Sequence, residues 1–233
     1  LLQRFAATKA SGSLVPNGPL LLRLQPLDRT KYADGNRAIT IRKSFPPSES
    51  IPRLSTLVKQ RPEDAFIRSI LADVLYRDQQ YLKAKATLDA VIDDQPSDGE
   101  FWIIDSVVHE KMAQMADDRA ELLARAKTSA AEAIRLNPTV PEAFIASAQA
   151  AELEGNFGSA ERDWRKAAEL SRNPRSILKL QAAAWRNVGR LGEWNRATDA
   201  LLDLVRVAGQ DVPEVQLEAV SYTHLTLPTR RGV

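Results

Sequence analysis

The segment GNFGSAERDWRKAAEL, residues 155–170, places small and large side chains at the spacing of one helix face. Ala160, Trp164 and Ala167 follow one another at intervals of four and three residues, which is the periodicity of an amphipathic helix. Gly155 comes just before them, where a tight turn would end a preceding helix. Small residues let two antiparallel helices approach closely, and large rings fill the space beside them. The segment therefore predicts the second helix of a helical hairpin.

The same pattern recurs along the chain. Residues 76–96 overlay residues 152–172 without a gap, at an offset of 76 residues, which equals two units of about 34 residues with eight more. The aligned side chains are Tyr81 with Phe157, Ala84 with Ala160, Leu88 with Trp164, and Val91 with Ala167. The eight extra residues are predicted to add one turn to each helix of the middle unit, with a disordered loop as the alternative. Repeats are predicted at about residues 65–98, 99–140, 141–174 and 175–211, with a partial repeat from 212.

These residues resemble the tetratricopeptide-repeat (TPR) family, whose units carry a bulky, a small and an aromatic residue on the first helix and A-x3-F with a terminal proline on the second. Prolines stand where each second helix is predicted to end, at Pro62, Pro96, Pro138 and Pro174. The resemblance covers about residues 62–212, with a partial second helix before it. It implies an all-α fold: an α-solenoid of about four TPR-like helix-turn-helix repeats, wound into a right-handed superhelix over residues 51–220.

Residues 1–50 lack the repeat and are predicted to be a basic, mostly irregular and extended linker. Ten Lys/Arg against three acids give residues 1–60 a charge of +7, whereas residues 61–233 carry −5. Clustered prolines, serines and basic side chains favour an extended segment. The alternative is a short hairpin, since residues 20–27 and 37–44 alternate apolar and polar side chains on either side of the turn-like ADGN.

The basic residues Arg37, Arg42 and Lys43 could meet an anionic membrane surface or nucleic acid. Nucleic-acid binding is disfavoured, because no aromatic residues are interleaved with them. At the other end, residues 221–233 abandon the helical pattern and resemble a translated sequencing adapter, so they are predicted to be an irregular tail. Because the chain begins with Leu1, it is also expected to be a fragment.

Composition limits the classes of function. With 44% hydrophobic and 27% charged residues, the chain can bury a core without disulfides. Cysteine is absent, which excludes thiolate metal sites and cysteine nucleophiles but does not indicate a compartment. No apolar run approaches the roughly 20 residues that a membrane-spanning helix needs.

No catalytic, metal-binding or cofactor-binding motif is found. His109 precedes a glutamate, but no second histidine follows four residues later, so a zinc-protease motif is absent and a partly exposed structural role is predicted. The glycines of GNFGSA lack the spacing of a phosphate-binding loop and fall between two helices. Trp102, Trp164 and Trp194 occupy regular repeat positions, which favours core packing over a ligand cage. A noncatalytic protein is therefore predicted.

A stacked array of helix pairs has a concave surface lined by the first helix of each pair, and TPR proteins usually bind a protein or peptide there. The resemblance implies groove positions at Phe66, Ser69, Asp73, Tyr76, Ile103, Val107, Glu110, Ile145, Gln149, Glu152, Lys179 and Arg186. Glu100 and Glu142 occupy equivalent positions. The Lys/Asn/Arg clamp of chaperone-binding members is not matched, because Ser69 and Asp73 stand where Lys and Asn would be needed. A peptide with an apolar centre and a basic stretch is the expected ligand.

Two functions remain open from the sequence. The first is a noncatalytic scaffold or adaptor that binds a protein segment in its groove. The alternative is the accessory TPR region of a larger enzyme or membrane protein, for example one acting in envelope polysaccharide assembly.

Overall fold

The computed structural model describes residues 29–94, 96–208 and 212–226. Within these ranges the chain forms eleven α-helices and one short 3₁₀ turn, Ile92–Asp94, and no strand. The helices are α1 Arg29–Ser44, α2 Pro47–Gln60, α3 Ala65–Arg77, α4 Tyr81–Asp89, α5 Gly99–Met115, α6 Ala120–Leu136, α7 Pro141–Glu154, α8 Phe157–Leu170, α9 Pro174–Arg190, α10 Trp194–Ala208 and α11 Pro213–Thr226. None of the helices in these ranges is long and apolar enough to cross a membrane.

The helices pack in chain order as antiparallel pairs, α1/α2 to α9/α10, and α11 packs against α9 and α10. The first helices α1, α3, α5 and α7 also contact one another in succession, and α9 packs closely against α8. The all-α solenoid of helical hairpins expected from the sequence is therefore confirmed.

Polar side chains fix the points where several helices begin. Each accepts a hydrogen bond from a backbone N–H group of the first turn, which otherwise has no partner within the helix. The four pairs are Asp64 with Ile67 at 3.2 Å, Asp98 with Glu100 at 3.1 Å, Asn156 with Ser159 at 3.2 Å, and Asn173 with Arg175 at 3.0 Å. Proline in the first turn of α7 and α9 adds a preset backbone angle.

The small residues of the repeat lie at the helix contacts, as predicted. Ala72, Ala84, Ala148 and Ala160 are fully buried, so neighbouring helices meet there at close range. Among the larger residues, Trp102 and Trp164 are buried. The indole N–H of Trp102 donates to the Pro96 carbonyl at 2.6 Å, and that of Trp164 to the Glu152 carboxylate at 2.8 Å. The prediction for Trp194 is wrong, since this side chain begins α10 and is 38% exposed.

Three turns between paired helices share a left-handed residue: Gln79 at φ 61°, Gly155 at φ 86° and Gly192 at φ 98°. A Cβ on either glycine would meet nothing within 4 Å, so the cost of a side chain there is a backbone cost alone. We expect Gly155→Ala to lower the free energy of unfolding by about 1 kcal/mol and Gln79→Gly to raise it by up to about 1 kcal/mol. Urea unfolding of the full chain measures both. A Gly155→Ala variant as stable as the parent would contradict the left-handed turn.

The structure corrects the prediction of an extended linker up to residue 50. Residues 29–44 form α1, and α2 begins at Pro47. ADGN, the proposed hairpin turn, lies inside α1. Residues 1–28 fall outside the described residues, and they include the first proposed strand.

The buried face of α1 explains this difference. Ala38 is fully buried, and Asp34, one turn earlier, accepts a hydrogen bond of 2.5 Å from Arg61 of the loop after α2. Gly35 lies so close to Phe66 of α3 that a Cβ would stand 3.2 Å from the ring. These contacts follow helical spacing, which the alternation in residues 37–44 conceals. The array of helix pairs thus begins one helix earlier than predicted.

Two further predictions concern helix length and the C-terminal tail. α5 and α6 have 17 residues each, whereas α7 and α8 have 14 each, which confirms the helical extension of the middle unit. The tail was expected to be irregular from residue 221. This prediction is wrong for its first six residues, because the helical backbone of α11 continues to Thr226. Residues 227–233 lie outside the described part of the chain.

Candidate peptide-binding groove

The groove is built from one stripe on each first helix. On α5 the stripe is Glu100, Ile103, Val107, Glu110 and Gln114, and on α7 it is Glu142, Ile145, Gln149 and Glu152. Within each set the spacing alternates between three and four residues, so the members share one helix face. Because α5 and α7 contact each other, the two stripes lie side by side.

A polar cavity of about 380 Å³ occupies one end of this pair of stripes. It brings together four of the residues predicted from the repeat pattern: Glu110, Gln149, Glu152 and Arg186. Residues that the sequence reasoning did not select complete its wall, namely Gln114, Leu153, Trp164 and Arg190.

Glu152 joins three helices at the base of the polar cavity. Its Oε1 accepts hydrogen bonds from Trp164 of α8 at 2.8 Å, and from Arg186 and Asn187 of α9 at 2.9 Å and 2.5 Å. Arg190 forms a longer ion pair with Oε2 at 3.5 Å. Burial alone would raise the pKa of Glu152, but the hydrogen bonds that Asn187, Arg186 and Trp164 donate, together with the charge of Arg186, lower it. These bonds fix the carboxylate in place, so it positions α8 and α9 against α7.

Glu110 lies in the opposite wall in a different environment. The residue is only 6% exposed, and its carboxylate accepts a hydrogen bond from Gln114. Burial raises the pKa of the Glu110 carboxyl, the hydrogen bond from Gln114 and the charge of Lys111 lower it, and nearby Glu152 raises it further, with a net upward shift. Among the described residues, no basic side chain forms an ion pair with Glu110. The carboxylate therefore carries a charge that its surroundings stabilise poorly.

Beyond Glu110 the polar surface continues toward the N-terminus. Burial and then the charge of Glu110 raise the pKa of Tyr76 on α3. Asp73, one turn before it, pairs with Arg77 at 2.6 Å and with Arg42 of α1 at 3.6 Å. Arg42 also reaches Glu100 of α5 at 2.7 Å. Arg42, which was predicted to lie in an extended linker, is therefore part of the surface of the array.

The second cavity, also about 380 Å³, lies at the other end of the α5 and α7 stripes. Its walls are the first turns of α5 and the loop into α7, and its lining is mainly apolar: Glu100, Ile103, Ile104, Asn137, Val140 and Glu142. Val107 is half-buried and lies between the two cavities on the α5 stripe. Ile145, which occupies the middle of the α7 stripe, packs against the core that includes Trp164.

Three residues predicted to line the groove make contacts within the array. Ser69 is fully buried and donates to the Phe66 carbonyl at 2.8 Å. Phe66 packs under α1 beside Gly35. Lys179 pairs at 2.5 Å with Glu214 of α11. The prediction for Ser69 is wrong because its side chain is buried. Phe66 and Lys179 are partly exposed, and they contact the flanking helices α1 and α11, respectively.

A group of three potential metal ligands lies outside the groove. Within the described ranges, ligand atoms of Asp89, Asp105 and His109 fall within 4.8 Å of one another. Asp105 already accepts hydrogen bonds from Arg125 at 2.8 Å and Ser129 at 2.5 Å. Asp89 is bound by a lysine at 2.5 Å. Cations next to both carboxylates oppose a metal ion. His109 is also 2% exposed, so its predicted partial exposure is wrong, and its Nδ1 donates to the Asp105 carbonyl of its own helix at 2.8 Å.

Solved structures similar to this chain identify its fold, whereas sequence comparisons find no match. No protein-family model matches the chain, and no curated protein matches it. TTC0263, a thermophilic TPR protein in Thermus thermophilus, is 15% identical with a TM-score of 0.64, over 83% of this chain and 99% of that chain. YrrB, a TPR protein with an unusual peptide-binding site, is 12% identical with a TM-score of 0.58, over 82% and 90% of the two chains.

A third similar structure is that of MamA, residues 41 to the end, from Desulfovibrio magneticus RS-1. It is 14% identical with a TM-score of 0.56, over 78% of this chain and 97% of that chain. In all three cases at least 90% of the similar structure is covered. The chain therefore has the tetratricopeptide-repeat fold.

Proposed function

We propose that this protein is a noncatalytic scaffold that binds an extended segment of another protein in the groove between α5 and α7. The observation that carries the proposal is the pair of cavities at the two ends of the α5 and α7 stripes. Binding sites for extended segments combine such cavities for alternate side chains with polar groups that fix orientation.

Two further points support the proposal, one on binding and one on the absence of catalysis. YrrB, which shares the fold, is described as having a peptide-binding site. The Glu152 carboxylate in the wall of the polar cavity is held by Trp164, Arg186 and Asn187. A carboxylate so bound is a poor general base, because its lone pairs are occupied and its pKa is lowered.

The test uses a library of random twelve-residue peptides displayed on phage and selected against the full-length chain. Peptides that survive are synthesised, and their affinities are measured by fluorescence anisotropy. We expect Val107→Arg, which places a long cation between the two cavities, to weaken the selected peptides at least about tenfold, or about 1.4 kcal/mol.

Thr128→Arg is the matched control, since it also replaces a β-branched residue by arginine. Thr128 is exposed on α6, and its hydroxyl donates to the Ala124 carbonyl one turn earlier at 3.0 Å. It does not line either cavity. This variant should bind within twofold of the parent. The proposal fails if no peptide is selected, or if Val107→Arg and Thr128→Arg have equal effects.

A further inference from the structure

We infer that the groove recognises a segment carrying an apolar side chain and a lysine or arginine four positions apart, with the apolar side chain in the cavity beside Ile103 and the cation beside Glu110. The inference rests on the proposed function and specifies the ligand of the same site. It follows from three properties of the two cavities: their lining, their charge and their separation.

The cavity beside Ile103 suits an aliphatic side chain. Ile103, Ile104 and Val140 supply its apolar walls, and burying apolar surface against them is favourable. The two carboxylates at its edge differ in their surroundings: Glu100 is paired with Arg42 at 2.7 Å, whereas Glu142 is exposed. An acidic side chain would therefore be repelled at the entrance, and an apolar one would fill the space.

The cavity beside Glu110 suits a cation. The acids and bases in its walls balance in number, but they are not equivalent. Glu152 is hydrogen-bonded to Arg186 and lies 3.5 Å from Arg190, so two guanidinium groups already compensate the charge of this carboxylate. Glu110 has the amide of Gln114 as its hydrogen-bond donor.

A basic ligand group would supply the partner that the described fold does not provide for Glu110. Opposite charges brought together in a partly desolvated site attract more strongly than at an open surface. The raised pKa of Glu110 agrees with this view, because a carboxylate short of stabilising neighbours holds its proton to higher pH.

The separation of the two cavities sets the spacing in the ligand. Ile103 and Glu110 are seven residues apart on α5, about 10 Å at 1.5 Å per residue, and Ile104 and Gln114 are ten apart, about 15 Å. In an extended segment four positions span about 13 Å, and side chains four apart point to the same side. The ligand side chain midway between the apolar residue and the cation would lie over Val107. The chain direction is not fixed by this geometry, so either order of the two residues fits.

Synthetic peptides test the inference directly on the full-length chain. Each has nine residues, mostly serine and alanine, with one leucine and one lysine two, four or eight positions apart, in both orders. We expect the four-position peptide to bind tightest in at least one order. Replacing its lysine by norleucine should weaken binding about tenfold, and replacing it by glutamate should weaken binding further. Equal affinity for all spacings, or for the norleucine peptide, would overturn the inference.

Glu110→Gln identifies the partner of the lysine. This variant keeps the size of the side chain, and it should lose about tenfold in affinity for the lysine peptide but nothing for the norleucine peptide. Glu132→Gln, at a partly exposed position on α6 that pairs with Arg135, is the control and should bind as the parent does. A loss that is the same for both peptides would mean a change of fold and not a lost charge pair.

The pH dependence supplies an independent reading. Affinity for the lysine peptide should fall as pH decreases through the raised pKa of Glu110, because the protonated carboxyl no longer attracts the cation, and it should be flat for Glu110→Gln. The titratable or charged groups around Glu110 are Tyr76 of α3, Lys111 of α5, Glu152 of α7, and Arg186 and Arg190 of α9. Only Glu152 among them also titrates in the acid range, and its pKa is shifted in the opposite direction.

The phage selection separates the two proposals. If library peptides bind in a manner that Val107→Arg abolishes, but without an apolar and a basic residue four positions apart, the scaffold proposal stands and this inference is overturned. If no library peptide binds, both are overturned.

Discussion

Glu152→Ala is expected to lower the free energy of unfolding by about 3 kcal/mol, because it removes one partner of a largely buried ion pair. The Glu152 side chain is 17% exposed and that of Arg186 is 22% exposed. The substitution leaves the fully buried Asn187 and the indole of Trp164 without the acceptor that they share. Buried donors without acceptors add their own desolvation cost. Urea unfolding followed by far-UV circular dichroism and tryptophan fluorescence measures the change.

Glu152→Gln is the control for this prediction, since it retains one acceptor oxygen and the size of the side chain. It should cost less than the alanine variant. The pH dependence has a definite sign: the pKa of Glu152 is lowered by folding, so its stabilisation is complete above its ordinary pKa and is lost as pH falls through the lowered value. An alanine variant with parental stability at pH 7 would show that α9 does not depend on this carboxylate.

Asp105→Ala should be the other strongly destabilising polar substitution, also by about 3 kcal/mol. Asp105 is fully buried on α5, and its Oδ2 accepts from Arg125 at 2.8 Å and from Ser129 at 2.5 Å on α6. His109 stands 3.5 Å from its other oxygen. Removing the carboxylate leaves a partly buried guanidinium and a buried hydroxyl without their acceptor.

Thermal and urea unfolding of Asp105→Ala and Asp105→Asn form the matched pair. Asparagine can still accept from Ser129 but has no charge for Arg125, so it should be intermediate in stability. If alanine and asparagine are equally destabilising, the loss comes from the charge alone. A loss below about 1 kcal/mol in both, the size of an exposed pair's contribution, would show that the network does not hold α5 to α6.

Helical periodicity accounts for most of what the sequence predicted correctly. The positions of Ala84, Ala160 and Trp164 were predictable because a repeat places its packing residues at fixed intervals along the chain. The prolines are equally local signals, since proline restricts its own backbone and that of the residue before it. These features depend on neighbours within one or two turns.

The failures concern side chains whose surroundings come from a different unit. Nothing in residues 29–44 announces that Ala38 and Gly35 will be covered by α2 and α3, and a glycine between aspartate and asparagine is a turn signal in isolation. Ser69 was placed in the groove by its position in the repeat, but its side chain is buried and donates to the Phe66 carbonyl of its own helix. Tertiary contacts here override local propensity.

Glu152 shows the same limit within the groove itself. The repeat position placed it on the α7 stripe, where it lines the polar cavity. The repeat does not reveal that Arg186 and Asn187 of α9 point to the same carboxylate. Their spacing along α9 is visible in the sequence, but the helix they face is decided by how α9 packs on α8.

Packing in chain order has a mechanical consequence. In the described residues each helix pair is held mainly by the pairs before and after it, so a tension applied to the two ends would be resisted one junction at a time. The protein should lengthen in several small steps instead of rupturing once. The junction tied by Glu152, between the α7/α8 and α9/α10 pairs, would resist longer than a junction held by alanine contacts alone, and a partner bound between α5 and α7 would strengthen the one beside it.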